Sequence, residues 1–326
     1  VIRPGHCLAA LLALAALCAP APLSAAAALA TASADLQAGK ADEATTLLTE
    51  ILRNDPKNAE ANNLLCRVEY TVGDLDHASA HCEKAVSLEP SSSRYHLWLG
   101  RMLGERAGHA SFMSAFGLAK RTREEFETAV NLAPKDGEAM ADLGEFYREA
   151  PGAVGGGMDK ARALATKLEA VDPERGREFR GSLLDHDKDT AGAEREYRAA
   201  IQNNPHPAHA WIVLASFLRR HERWEEMESA VESGYKAALT DRRSAVALYN
   251  GATLLEKTHR RTDLAVKMLA AYAASPDKTE EAPAFDALTR LARLRHSLGD
   301  QPGAQKAQSE ALALAHNYRP ALEALK

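Results

Sequence analysis

Residues 78–90 read ASAHCEKAVSLEP, and the spacing inside that stretch decides the fold. Ala78, Cys82 and Ala85 stand at i, i+4 and i+7, which is one face of an α-helix. Pro90 then stops the helix, because proline lacks a backbone N–H and its ring clashes with the preceding turn. Four other segments repeat the arrangement: Ala44/Leu48/Ile51 before Pro56, Thr122/Phe126/Ala129 before Pro134, Ala161/Ala165/Leu168 before Pro173, and Ala193/Tyr197/Ala200 before Pro205. Small residues in such a row let a second helix cross closely, so each segment predicts the second arm of a helical hairpin.

The first arms precede them. Leu99-Gly100, Leu143-Gly144 with Tyr147, and Trp211 with Leu214-Ala215 and Leu218 carry a helical apolar period. The small residue in each predicts close approach of the paired helix. Gly39-Lys40, Gly73-Asp74 and Gly299-Asp300 separate the two arms, where glycine supplies the positive φ that ends a helix. The chain resembles the tetratricopeptide repeat family, whose unit of about 34 residues carries W-x2-L-G-x2-Y, then A-x3-F, then P. Pro56 to Pro90 keeps that period. The expected fold is all-α, a right-handed α-solenoid of about eight hairpins near residues 25–58, 59–92, 93–136, 137–173, 174–207, 208–243, 244–280 and 285–318. The unit at 244–280 is degenerate, residues 275–283 (SPDKTEEAP) read as a loop, and residues 319–326 read as a cap.

Two segments depart from the period. Residues 104–122 lengthen the third unit, and the spacing of Phe112, Phe116 and Ala119 predicts longer helices with extra core packing, a partner surface being the alternative. The fourth unit carries Pro151-Gly152 and Gly155-Gly156-Gly157, a flexible loop. A phosphate loop needs a preceding strand and a Gly-Lys-Ser/Thr ending, and neither is present. With YHLWLG and LAKRTREEFETAVNLAP, this loop makes the chain similar to exported bacterial tetratricopeptide proteins of unassigned activity. The middle is distantly similar to eukaryotic members linked to microtubules.

The chain has 326 residues, 26% charged and 46% hydrophobic, the balance of a folded soluble protein. A net charge of -5 speaks against general nucleic-acid binding, which needs a concentrated basic field. Arg3, the apolar run LAALLALAALCA and Leu23-Ser24-Ala25 together predict a secretory signal peptide over residues 1–25, cleaved near Ala25. Leu17 precedes Cys18 where a lipidated cysteine calls for a small residue, so cleavage is preferred to lipidation. The array then spans residues 26–326 in the periplasm or cell envelope. No later segment is apolar enough to span a membrane.

Cys66 and Cys82 flank the Gly73-Asp74 turn at similar distances. An antiparallel hairpin sets them opposite each other, either as a disulfide or as two buried thiols. His77 and His81 share a helix edge beside Asp76, a geometry a metal could use, but the flanking buried positions place them on a solvated edge. His206 and His209 read as turn and helix-start residues, and DHDKD at 185–189 as a charged turn. No nucleophile–base constellation stands out, so no catalytic residue, cofactor or metal is assigned.

What the resemblance implies is a concave groove lined by the first arms. Its polar positions fall on Asn63, Arg67, Tyr70, Arg94, Arg101, Glu145, Arg148, Arg175, Glu178, Arg219, Arg220 and Arg293. Arginine forks bind carboxylates at two points, which suits an acidic peptide or a C-terminal carboxylate. The expected function is a non-enzymatic scaffold binding a protein or peptide in the groove. Assembly of an envelope complex through the convex face or the ends is the alternative, and a metal-binding protein or enzyme the third reading.

Overall fold

A computed structural model describes residues 24–202, 204–241 and 244–326; the expected signal peptide lies almost wholly outside them. Among the described residues eight helical hairpins follow one another. They are α1 (Ala25–Gln37) with α2 (Ala41–Asn54), α3 (Ala59–Val72) with α4 (Leu75–Leu88), α5 (Ser93–His109) with α6 (Phe112–Leu132), and α7 (Gly137–Glu149) with α8 (Met158–Val171). Then come α9 (Pro173–His186) with α10 (Thr190–Ile201), α11 (Ala208–Arg220) with α12 (Trp224–Thr240), α13 (Ala245–Thr258) with α14 (Thr262–Ala274), and α15 (Ala284–Ser297) with α16 (Gln301–Leu314). A short α17 (Arg319–Leu322) follows. The fold is an all-α solenoid.

The helices start where side chains satisfy free backbone N–H groups. Asn58, Asp136, Asp172, Asp189 and Asp300 each accept a hydrogen bond from an N–H in the following first turn. Gly39, Gly73 and Gly299 close their first arms with positive φ, as their sequence context requires. Three other hairpins turn in the same conformation on Lys188, inside the charged turn read at residues 185–189, and on Glu222 and His259, which no turn signal in the sequence marks. The face read from residues 78–90 is buried: Ala78, Cys82 and Ala85 have no solvent exposure. Cys66 and Cys82 are joined there, with Cα atoms 5.3 Å apart.

Two expectations about packing are corrected. A Cβ on Gly100 would touch Phe126 of the paired arm, but a Cβ on Gly144 would touch Phe179 of α9, in the next hairpin. The small residue at 144 therefore serves stacking between units, because the paired α8 already offers alanines at 161 and 165. The long third hairpin does extend both helices, yet its tip adds nothing to the core: Phe112 and Met113 are 84% and 81% exposed. Lower in the same segment the expected core packing is present: Leu118 packs against the core around Cys82 and Trp98, and Thr122 is buried.

The ends of the array meet. Ala32, Leu36 and Leu48 of the first hairpin share one apolar core with Phe285, Leu288, Ala311 and Ala321 of the last helices. Gly39 packs against the backbone of Ala284, and His316 bonds Asp42 through its backbone N–H (2.9 Å) and its ring Nδ1 (2.8 Å). The solenoid is thereby closed on itself, and its concave side is bounded by both early and late hairpins. Among the described residues no helix is long and apolar enough to cross a membrane.

Candidate interaction groove

Helices α3, α5 and α7 are consecutive first arms, and each turns one face to the concave side. They supply Tyr70, Trp98, Arg101, Asp142, Glu145 and Phe146 to a cavity of ≈ 940 Å³. The far wall comes from late hairpins: Tyr249 on α13, Glu280 and Glu281 in the α14–α15 loop, Asp286 and Arg290 on α15, and Tyr318. Closure of the array creates this wall. A second concavity of ≈ 720 Å³ continues along α7, α9 and α11, with Glu145 shared between the two.

Trp98 organises the first cavity. The guanidinium groups of Arg67 and Arg101 lie 5.0 and 4.8 Å from its ring centroid, within cation–π range, and Tyr70 meets it edge-on. Arg101 bonds Asp142 through Nε (2.6 Å) and pairs with Glu138 (2.6 Å). Burial opposes the Arg101 charge, but these two carboxylates hold its pKa above the ordinary arginine value. Burial raises the Asp142 pKa against the pull of Arg101. Glu281 is raised by burial as well; Arg101 pulls it down, while Glu138, Glu280 and Asp142 push it up. On the far wall Asp286 accepts from Tyr249 (2.5 Å), Tyr318 (2.7 Å) and Arg290 (2.6 Å). Burial works against that carboxylate, yet the Arg290 charge and the two hydroxyls keep its pKa below the usual range.

The twelve residues named from the sequence separate into groups. Tyr70, Arg101 and Glu145 line the first cavity, and Glu145, Arg148, Arg175, Glu178 and Arg220 line the second. Asn63 is fully buried and Arg67 nearly so. Arg94 pairs with Glu60, and Arg293 lies 3.7 Å from Glu256. The Nε of Arg219 is buried without a hydrogen-bond partner. The expectation of open arginine forks is corrected. Arg148 is held by Glu145 and Glu149, Arg175 by Asp172 and Arg220 by Asp185. Nearby acids of the same chain take these cations first, because an intramolecular partner is always at hand.

Trp98, Phe146, Asp142, Tyr249, Asp286, Arg290 and Tyr318 were missed as groove residues. For Trp98 a signal existed, since it stands three residues before Arg101 and shares its helix face. The far-wall residues carried none, because only ring closure brings them near. His77 and His81 each bond a carboxylate, Asp74 and Glu69, at 2.8 Å. Among the described residues no group of three or more His, Cys, Asp or Glu is placed to hold a metal ion.

Two family models described as tetratricopeptide repeat match residues 35–101 and 180–243. Superkiller complex protein 3 of Mus musculus is 25% identical over 146 residues, which is 43% of this chain and 8% of that protein's length. Among solved structures, a thermophilic tetratricopeptide protein of Thermus thermophilus, TTC0263, is similar with TM-score 0.51 and 20% identity, over 60% of this chain and 99% of that one. A tetratricopeptide repeat protein from Parabacteroides merdae aligns with TM-score 0.49 and 13% identity, over 82% and 98% of the two chains. The hairpin array, the spacing of its proline-ended arms and the two matched stretches make this chain a tetratricopeptide repeat protein.

Proposed function

We propose that this protein is a non-enzymatic scaffold of the bacterial periplasm or cell envelope that binds a peptide or protein segment in its concave groove. The observation that carries the reading is the ≈ 940 Å³ cavity, where aromatic and charged side chains of three consecutive first arms face the late hairpins. Aromatic walls with a few fixed polar groups suit recognition of a chain segment. The export-like N-terminal sequence supports the location, and a net charge of -5 favours protein over nucleic acid as partner. The exposed Phe112 and Met113 favour a second reading, assembly of an envelope complex through the tip of the third hairpin.

The test is crosslinking of the full chain in its own cells, followed by purification and mass spectrometry, beside a Tyr70→Ala/Phe146→Ala variant of matching circular dichroism. The expected result is a partner held by the wild type and lost from the variant. A partner held equally by both overturns the groove reading, and its loss on Phe112→Ser/Met113→Ser moves the site to the tip.

A further inference from the structure

The α14–α15 loop does more than link two helices. Residues 275–283 lie between hairpins seven and eight, yet Glu280 reaches across the groove to the second hairpin. Its two carboxylate oxygens accept from Arg67 Nε (2.9 Å) and Nη2 (2.6 Å), a two-point pair between residues 213 apart in sequence. Both side chains are nearly closed to solvent, at 7% and 11% exposure, and the same guanidinium stacks on Trp98. Glu281, next in the chain, lines the first cavity. The loop is anchored behind this acidic tip: Tyr272 donates its hydroxyl to the Ala282 carbonyl (2.5 Å) and accepts from the Thr279 N–H (3.2 Å).

The seat is filled without being satisfied. Asn63 stands one turn before Arg67 on the same helix face and is fully buried, yet neither end of its amide has a hydrogen-bond partner. Thr279 Oγ1, in the loop, is likewise buried without one. Buried polar groups left unpaired are costly, so an incoming segment that pairs the Asn63 amide and a withdrawal that returns Thr279 Oγ1 to water both favour exchange.

Resting on the groove reading above, we infer that the 275–283 loop is a displaceable internal ligand, and that the partner is an extended segment carrying an acidic residue that takes the place of Glu280 on Arg67 and Trp98. Exchange of one carboxylate for another leaves the buried Arg67 charge paired throughout, which a neutral or basic segment would not. The loop thereby makes the empty groove self-occupied and restricts it to segments that can match its acid. The Tyr272–Ala282 anchor stays in place while the Thr279–Glu280–Glu281 tip withdraws and gives up the Thr279 N–H bond to Tyr272.

The experiment uses the full chain and a fluorescein-labelled peptide SPDKTEEAP, with SPDKTKKAP as the charge-reversed control, read by anisotropy. The expected result is at least tenfold tighter binding to a Glu280→Gln/Glu281→Gln variant than to the wild type. That gain should be lost when Arg67→Ala is added and absent with the control. Equal binding to wild type and variant, or binding to neither, overturns the inference. Should the variant lose its helical circular dichroism, hydrogen exchange on the wild type decides: saturating acidic peptide should speed exchange at residues 279–282, and unchanged exchange makes the loop a fixed strut. If the peptide result fails while Tyr70→Ala/Phe146→Ala still loses the cellular partner, only the loop inference falls. If both fail, the groove reading falls with it.

Discussion

Substituting Gly39 by alanine tests the closure of the array, because three turn glycines share one conformation and differ in surroundings. Gly39, Gly73 and Gly299 have φ of +74°, +83° and +81°. A Cβ at Gly73 or Gly299 would meet nothing within 4 Å, whereas at Gly39 it would fall 2.4 Å from the Ala284 nitrogen. The left-handed conformation costs an alanine roughly 1–2 kcal/mol. The entropy that alanine removes from the unfolded chain offsets about 0.4–1 kcal/mol of that. Gly73→Ala and Gly299→Ala should therefore each cost about 1 kcal/mol. At Gly39 the new methyl group strikes backbone, which has no rotamer to adopt. Relief requires the first hairpin to move off α15, and overpacking of this kind adds roughly 1–3 kcal/mol. In thermal unfolding followed by circular dichroism, a cost of 1 kcal/mol lowers Tm by roughly 2–4 °C in domains of 150–250 residues. Gly39→Ala should fall at least twice as far as either control. Small-angle scattering should show it with a larger radius of gyration, the controls unchanged. A melting shift equal to that of Gly73→Ala, with unchanged scattering, would refute the closed array.

Three other outcomes follow from the structure. Removing the Cys66–Cys82 link, which spans 16 residues, should lower stability by about 3 kcal/mol; urea midpoints of oxidised protein and of Cys66→Ala/Cys82→Ala measure it. Gly100→Ala would set a Cβ 2.5 Å from Phe126, so it should cost roughly 1–3 kcal/mol, and pairing it with Phe126→Leu should recover part of that loss in a double-mutant cycle. His96 is buried with Nδ1 on Glu125 (2.6 Å) and Nε2 on the Pro90 carbonyl (2.9 Å), two acceptors that only a doubly protonated ring satisfies. The Glu125 hydrogen bond raises its pKa, so its contribution is complete below the unfolded value of about 6.5 and is lost as pH rises through the folded value. Urea midpoints from pH 5.5 upward should fall for the wild type more steeply than for His96→Gln, and parallel curves would refute the pairing.

The arms ending near Pro56, Pro90, Pro134, Pro173 and Pro205 were legible because each buries a face against its own hairpin, and that face repeats at i, i+4 and i+7. Closure was not legible. Phe285, Leu288 and Ala311 read as ordinary core positions, and a local period says what a hairpin packs on next, not what it meets seven hairpins later. The turn at 185–189 was legible from its charged residues, whereas those at Glu222 and His259 were hidden, because there the left-handed conformation falls on residues that do not favour it.

The arginines had a signal that positional carry-over overlooked. Arg94 meets Glu60 at a separation of 34 residues, Arg220 meets Asp185 at 35 and Arg290 meets Glu256 at 34. These separations are the repeat period itself. Stacked first arms set equivalent positions side by side, so an acid one period before an arginine becomes its partner and ties two units together. Such a pair is partly solvated and contributes little individually, about 0–1 kcal/mol, but it withdraws the cation from any ligand. Arg67 has a glutamate 213 residues away instead, carried across the groove by a loop. A separation so far from the period comes from closure of the array, as it does for His316 with Asp42, but here the acid also lines the first cavity. It reports on what fills the groove, and that makes Arg67, rather than the arginines paired at the period, the place where an incoming acidic segment would have to compete.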